Sequence, residues 1–101
     1  MNTLEIIHLR LAGKGPEDLI DIICNSVGTA PELMEVKIYR NLKLENDVAI
    51  HLHRNAGGSE DNASNIGIRL ASLLKDYGMV SHYIWSECCC LEEVSGPVEN
   101  G

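Results

Sequence analysis

Four stretches of this 101-residue chain alternate apolar and polar side chains with a period of two, and two further stretches between them repeat with helical spacing. That succession of periods constrains the fold more than any other property of the chain. A strand can bury one face and a helix one stripe, so the order of the periods dictates how the layers stack. The first alternation is Leu4–Leu11, with Ile7, Leu9 and Leu11 on one face and Ile6, His8 and Arg10 on the other. Gly13-Lys14-Gly15 breaks it. Pro16 suits the first turn of a helix, where its missing N–H costs nothing, and Glu17 and Asp18 complement the positive end of the helix dipole. Leu19, Ile20, Ile22, Ile23 and Val27 give that helix its apolar face, and Gly28 ends it.

The second and third alternations are Met34–Asn41 and Val48–Arg54, joined by the polar stretch Lys43–Asp47, which reads as an antiparallel hairpin. A loop follows over Asn55–Asn62, centred on Gly57-Gly58; it lacks the spacing and the lysine of a phosphate-binding loop. Ser64 or Asn62 can cap a second helix, whose apolar positions are Ile66, Leu70, Leu73, Leu74 and Tyr77, with Gly78 as its stop. Val80–Glu87 is the fourth strand. The order is therefore βαββαβ, an α+β, ferredoxin-like pattern: a four-stranded antiparallel sheet with two helices on one face. Right-handed crossovers place the first and third strands at its centre. The other face carries Ile6, Ala49, Tyr83 and Trp85 beside polar residues, and a half-apolar sheet face of this kind usually marks an interface. The expected division is a domain over residues 1–90 and an acidic, flexible tail over 91–101.

The length fits one domain, and 45% hydrophobic residues suffice for one core. Lys and Arg are dispersed at positions 10, 14, 37, 40, 43, 54, 69 and 75 under a net charge of −7, which speaks against a nucleic-acid partner. No apolar run approaches the length of a bilayer span, so no membrane partner is expected. Cys24 and the run Cys88-Cys89-Cys90 do not resemble a disulfide framework, and the N-terminus has no basic segment before an apolar one; the expected compartment is the cytoplasm.

Four histidines sit within the alternating stretches. By parity His8, His51 and His53 share the face opposite the core, on neighbouring central strands. They read either as a metal- or haem-ligating set or as polar members of a dimer face. His82 has the parity of Val80 and Ile84 and points toward the helices. There it reads either as a hydrogen-bonded core histidine or as a proton-transfer residue lining a pocket. Arg69, as an anion anchor, and Tyr77 are the other candidates for that pocket. Tyr39, Tyr83 and Trp85 read as packing or as a stacking platform for a flat ligand. Of the three adjacent cysteines, only Cys88 and Cys90 can point together from a strand. No particular cofactor follows from these residues.

The strand Leu4–Leu11, the hairpin of Val36–Tyr39 with Val48–Arg54, and the closing strand Val80–Trp85 together resemble the dimeric α+β barrel superfamily, including antibiotic-biosynthesis-monooxygenase-like domains. The resemblance covers roughly residues 3 to 87. It implies a homodimer with sheets packed face to face and, in ligand-binding members, a cavity between sheet and helices. Some members oxidise cyclic substrates without a cofactor, and others degrade haem. At His51-Leu52-His53-Arg54 this chain departs from the acidic residue and tryptophan that many members carry. The functional expectation is a small-molecule-binding, monooxygenase-like protein, with a metal- or haem-binding module or a non-catalytic interaction or regulatory subunit as the alternatives.

Overall fold

The computed structural model describes residues 2–28, 33–54, 63–89 and 91. Its elements run β1 (Thr3–Leu11), α1 (Leu19–Val27), β2 (Leu33–Arg40), β3 (Asp47–Arg54), α2 (Asn65–Leu74) and β4 (Gly78–Ser86). The four strands form one sheet in the order β2-β3-β1-β4, and every neighbouring pair is antiparallel. β1 and β3 are thus the central strands, as the crossover rule requires. The expected loop Asn55–Asn62, the alternative cap Asn62, Cys90 and the tail beyond Leu91 lie outside the described residues.

The alternation read from the sequence becomes the two faces of this sheet. Ile7, Leu9 and Leu11 of β1 and Val48, Ile50 and Leu52 of β3 are buried beneath the helices. Leu19, Ile23 and Val27 of α1 and Ile66, Leu70, Ala71 and Leu74 of α2 complete the same core. Each fully buried Leu or Ile contributes about 1.5–3 kcal/mol relative to exposure, so this shared stripe holds the layers together. On the opposite face, Leu4, Ile6, Ala49, His51 and His53 are half-buried, while Tyr39, Met79, Tyr83 and Trp85 are exposed.

Several boundaries differ from the sequence reading, three of them for a visible reason. α1 begins at Leu19 rather than at Pro16. Gly13 and Gly15 both have positive φ, and the chain then closes a single turn in which the Leu19 N–H donates to the Pro16 carbonyl, at 3.3 Å. Asp47 opens β3 instead of belonging to the connection. The turn before it is fastened by the Asn41 side chain, whose Oδ1 accepts from the backbone N–H of Lys43 (2.8 Å) and of Leu44 (2.9 Å). Gly78 is not a helix stop. α2 ends at Leu74, Tyr77 lies in the turn that follows, and Gly78 is the first residue of β4. A side chain at Gly78 would collide with the Arg10 carbonyl of β1, so the glycine serves strand approach. No helix among the described residues is long and apolar enough to cross a membrane.

Candidate functional site

Glu5 shares the parity of Ile7, Leu9 and Leu11, so the central strand aims a carboxylate into the helix-covered face. Its relative exposure is 0%. An unpaired charge there would cost several kcal/mol or more, and the surrounding residues supply the partners. Glu5 pairs across the sheet with Leu52 on one side and Ile84 on the other. The diagonal neighbours two residues away are Arg54 on β3 and His82 on β4. Both face the carboxylate: Arg54 Nε lies 3.7 Å from Oε1, and His82 Nε2 lies 2.5 Å from Oε2.

The third side is the start of α2. Ser64 is the N-cap, and its hydroxyl accepts from the Gly67 N–H at 2.9 Å while donating to Glu5 Oε1 at 2.8 Å. The Ser64 backbone N–H also points at the carboxylate, 3.2 Å from Oε1 and 3.3 Å from Oε2. Glu5 therefore takes the place of an anion at a helix N-terminus, where backbone donors and the helix dipole favour negative charge. The helix carries Gly67 at the point of contact; a Cβ there would overlap Glu5 Oε2.

With Glu5 as an acceptor on both oxygens, His82 donates Nε2–H to it, which leaves Nδ1 as the basic lone pair of the ring. The His82 side chain is 22% exposed, so the ring is held from behind and reachable from outside. A histidine oriented by a buried carboxylate is the arrangement of a general base with its positioning partner.

The other two residues expected near His82 lie elsewhere. Arg69 is exposed, and its Nη2 donates to the Ser26 carbonyl at 3.3 Å, which ties α2 to the last turn of α1. Tyr77 is partly buried against the core at the end of the sheet where Leu11 pairs with Gly78, five residues along the chain from His82. The structure thus does not bring Arg69, Tyr77 and His82 together. In their place stand Glu5, Arg54 and Ser64. Glu5 carried a readable signal, an acidic residue in the apolar register of a strand. Arg54 continues the even parity of Val48, Ile50 and Leu52.

His8, His51 and His53 share the open face, as parity requires, but do not converge. His8 Nε2 is 3.4 Å from Asp47 Oδ2, and Asp47 also receives the Arg10 guanidinium through Nε (3.0 Å) and Nη2 (3.3 Å). The Arg10 hydrogen bond is the main reason the Asp47 carboxyl titrates below its ordinary range. His51 packs against Tyr39 with ring centroids 4.6 Å apart, and the His51 and His53 rings are 6.4 Å apart. Burial, then His53 and Lys37, lowers the proton affinity of His51. Among the described residues no group of three His, Cys, Asp or Glu side chains is arranged to hold a metal ion. Cys88 and Cys89 are both exposed. Clefts open on this face at both ends of the sheet. One of about 370 Å³ lies between Leu4, His53 and Trp85, and one of about 170 Å³ lies between His8, Tyr39 and Asp47.

No protein-family model matches the chain, and no curated protein sequence matches it. Solved structures do. Rv0793 from Mycobacterium tuberculosis is similar with a TM-score of 0.66 at 7% identity, over 91% of this chain and 100% of that one. SnoaB, a cofactor-independent oxygenase from Streptomyces nogalater, has a TM-score of 0.66 at 11% identity, over 89% of this chain and 96% of that one. A conserved protein from Methanosarcina mazei Go1 has a TM-score of 0.62 at 13% identity, over 87% and 94%. The chain has the fold of these proteins over most of its length.

Proposed function

We propose that this protein is a small-molecule-binding enzyme of the monooxygenase-like α+β barrel type, working as a homodimer, with His82 as its proton acceptor. One observation carries the reading: the His82 Nε2 lies 2.5 Å from a carboxylate that is wholly buried and fastened by the first turn of α2. The likeness in fold to a cofactor-independent oxygenase supports it. A base positioned in this way suits oxidation of a cyclic substrate bearing a weakly acidic C–H or O–H. His82 Nδ1 takes the proton, and the resulting anion is electron-rich enough to react with dioxygen. For a ring methylene the balance is one O₂ consumed, one oxygen atom retained as the new carbonyl, and the other released as water. His82 returns its proton as water leaves.

The homodimer rests on the open sheet face. Leu4, Ile6 and Ala49 are half-buried in one protomer, with Tyr39, Tyr83 and Trp85 exposed beside them. A second copy packed there would cover all six.

The test is dioxygen uptake with a panel of hydroxylated polycyclic aromatic compounds. The expected result is uptake by the wild type that falls about 100-fold or more in His82→Gln, the range in which a positioned base contributes. Uptake by His82→Gln at the wild-type rate would overturn the assignment of His82. No uptake with any member of the panel would overturn the oxygenase reading.

A further inference from the structure

Gly67 is a glycine inside a buried helical turn. Its φ is not positive, so its backbone conformation gives no reason for a glycine there. Glycine is among the weakest helix formers, and the position would favour alanine on propensity alone. The nearest atoms a side chain at this position would meet belong to Glu5: its Cβ would overlap Oε2 and crowd the rest of the carboxyl group. That carboxyl group is fully buried, enclosed by Arg54 of β3, His82 of β4 and the start of α2. Relief by a shift of the carboxyl moves it relative to His82, whose Nε2 contacts the same Oε2. Ser64, three residues earlier, holds the other oxygen with its hydroxyl and fixes its own hydroxyl through the Gly67 N–H.

We infer that Gly67 and Ser64 are positioning residues for the His82–Glu5 pair: the first turn of α2 is shaped to seat the Glu5 carboxylate against the imidazole. The inference deepens the reading of His82 as a base and rests on it for its functional meaning, although the seating itself is a property of the folded chain. Gly67 supplies the space and Ser64 the fixed donors. Neither touches a substrate. Both act through Glu5, and Glu5 acts through His82 by orienting the ring and holding its N–H.

The test needs no substrate. In ¹⁵N-histidine-labelled full-length protein, a short N–H···carboxylate bond gives the His82 ring a downfield, exchange-protected N–H proton. The expected result is that the wild type shows this proton, Glu5→Gln loses it, and Gly67→Ala loses it too while its circular dichroism remains that of a folded protein. Ala71→Gly, a helix-weakening change one turn further on, keeps it, which separates seating from general destabilisation. An unmoved His82 proton in folded Gly67→Ala would overturn the inference. Should Gly67→Ala fail to fold, Ser64→Gly decides the matter. It keeps the backbone N–H of the cap and removes the hydroxyl that donates to Oε1 and accepts from the Gly67 N–H, so the His82 proton should shift, and an unshifted proton would overturn the inference. An oxygen-uptake failure with this proton behaving as expected would count against the oxygenase reading alone.

Discussion

Glu5, His82 and His51 show how the same sheet gives its polar residues opposite fates. Glu5 and His82 sit under the helices with dedicated partners, whereas His51 lies on the open face among Tyr39, His53 and Lys37. Burial is the main reason the His51 imidazole binds a proton less readily than usual, and its two cationic or basic neighbours add to it. The folded chain therefore binds fewer protons at this residue than the unfolded chain does, so stability is retained above the ordinary histidine range. It is lost as the pH falls below about 6.5, where the unfolded chain gains its proton first. Urea denaturation across that window should show a midpoint that declines with falling pH in the wild type and declines less in His51→Gln. Identical pH slopes for the two proteins would show that this side chain is not strained by protonation.

At the scale of elements, the strands were the most legible part of the chain. Period-two alternation in Leu4–Leu11 and Val48–Arg54 assigned both faces correctly, because a one-residue slip would have moved Ile7, Leu9, Val48 and Ile50 into water. The helix ends were less legible, since they depend on turns that propensity does not encode. Two positive-φ glycines and the Pro16–Leu19 turn delay α1, and the collision of any side chain with the Arg10 carbonyl places Gly78 in a strand. The candidate site was half legible. Parity alone turned His82 toward the helices. Glu5 is hard to read from sequence because a lone acidic residue in an apolar strand does not announce a partner. Its partners, the α2 N-cap Ser64, Arg54 from β3 and His82 from β4, lie up to 77 residues away in sequence and come together only after the strands are in register. Arg69 and Tyr77 are near His82 in sequence, but one reaches back to α1 and the other packs on the core at the far end of the sheet.

At the scale of the whole molecule, a single layer of two helices covers one side of a four-stranded sheet and leaves the other with Trp85 57% exposed, along with Tyr39, Tyr83 and Met79. Apolar burial stabilises by about 25 cal/mol per Å², and obligate homodimers bury upwards of about 2,000 Å² in total, so pairing two such faces is the direct way to cover this one. Sedimentation equilibrium at micromolar concentration should give a dimer, and Trp85→Lys should shift it toward monomer without unfolding the chain. A wild-type monomer under those conditions would contradict the face-to-face arrangement. The central claim, that His82 takes a proton from a bound small acid, has a more direct readout. A nitrophenol absorbs in the visible only as its anion, so it reports its own proton transfer. Titrated with protein at a pH where the free probe is mostly neutral, it should develop the anion band in proportion to bound wild type and none with His82→Gln. An absent band with the wild type, or an equal band with His82→Gln, would contradict the account.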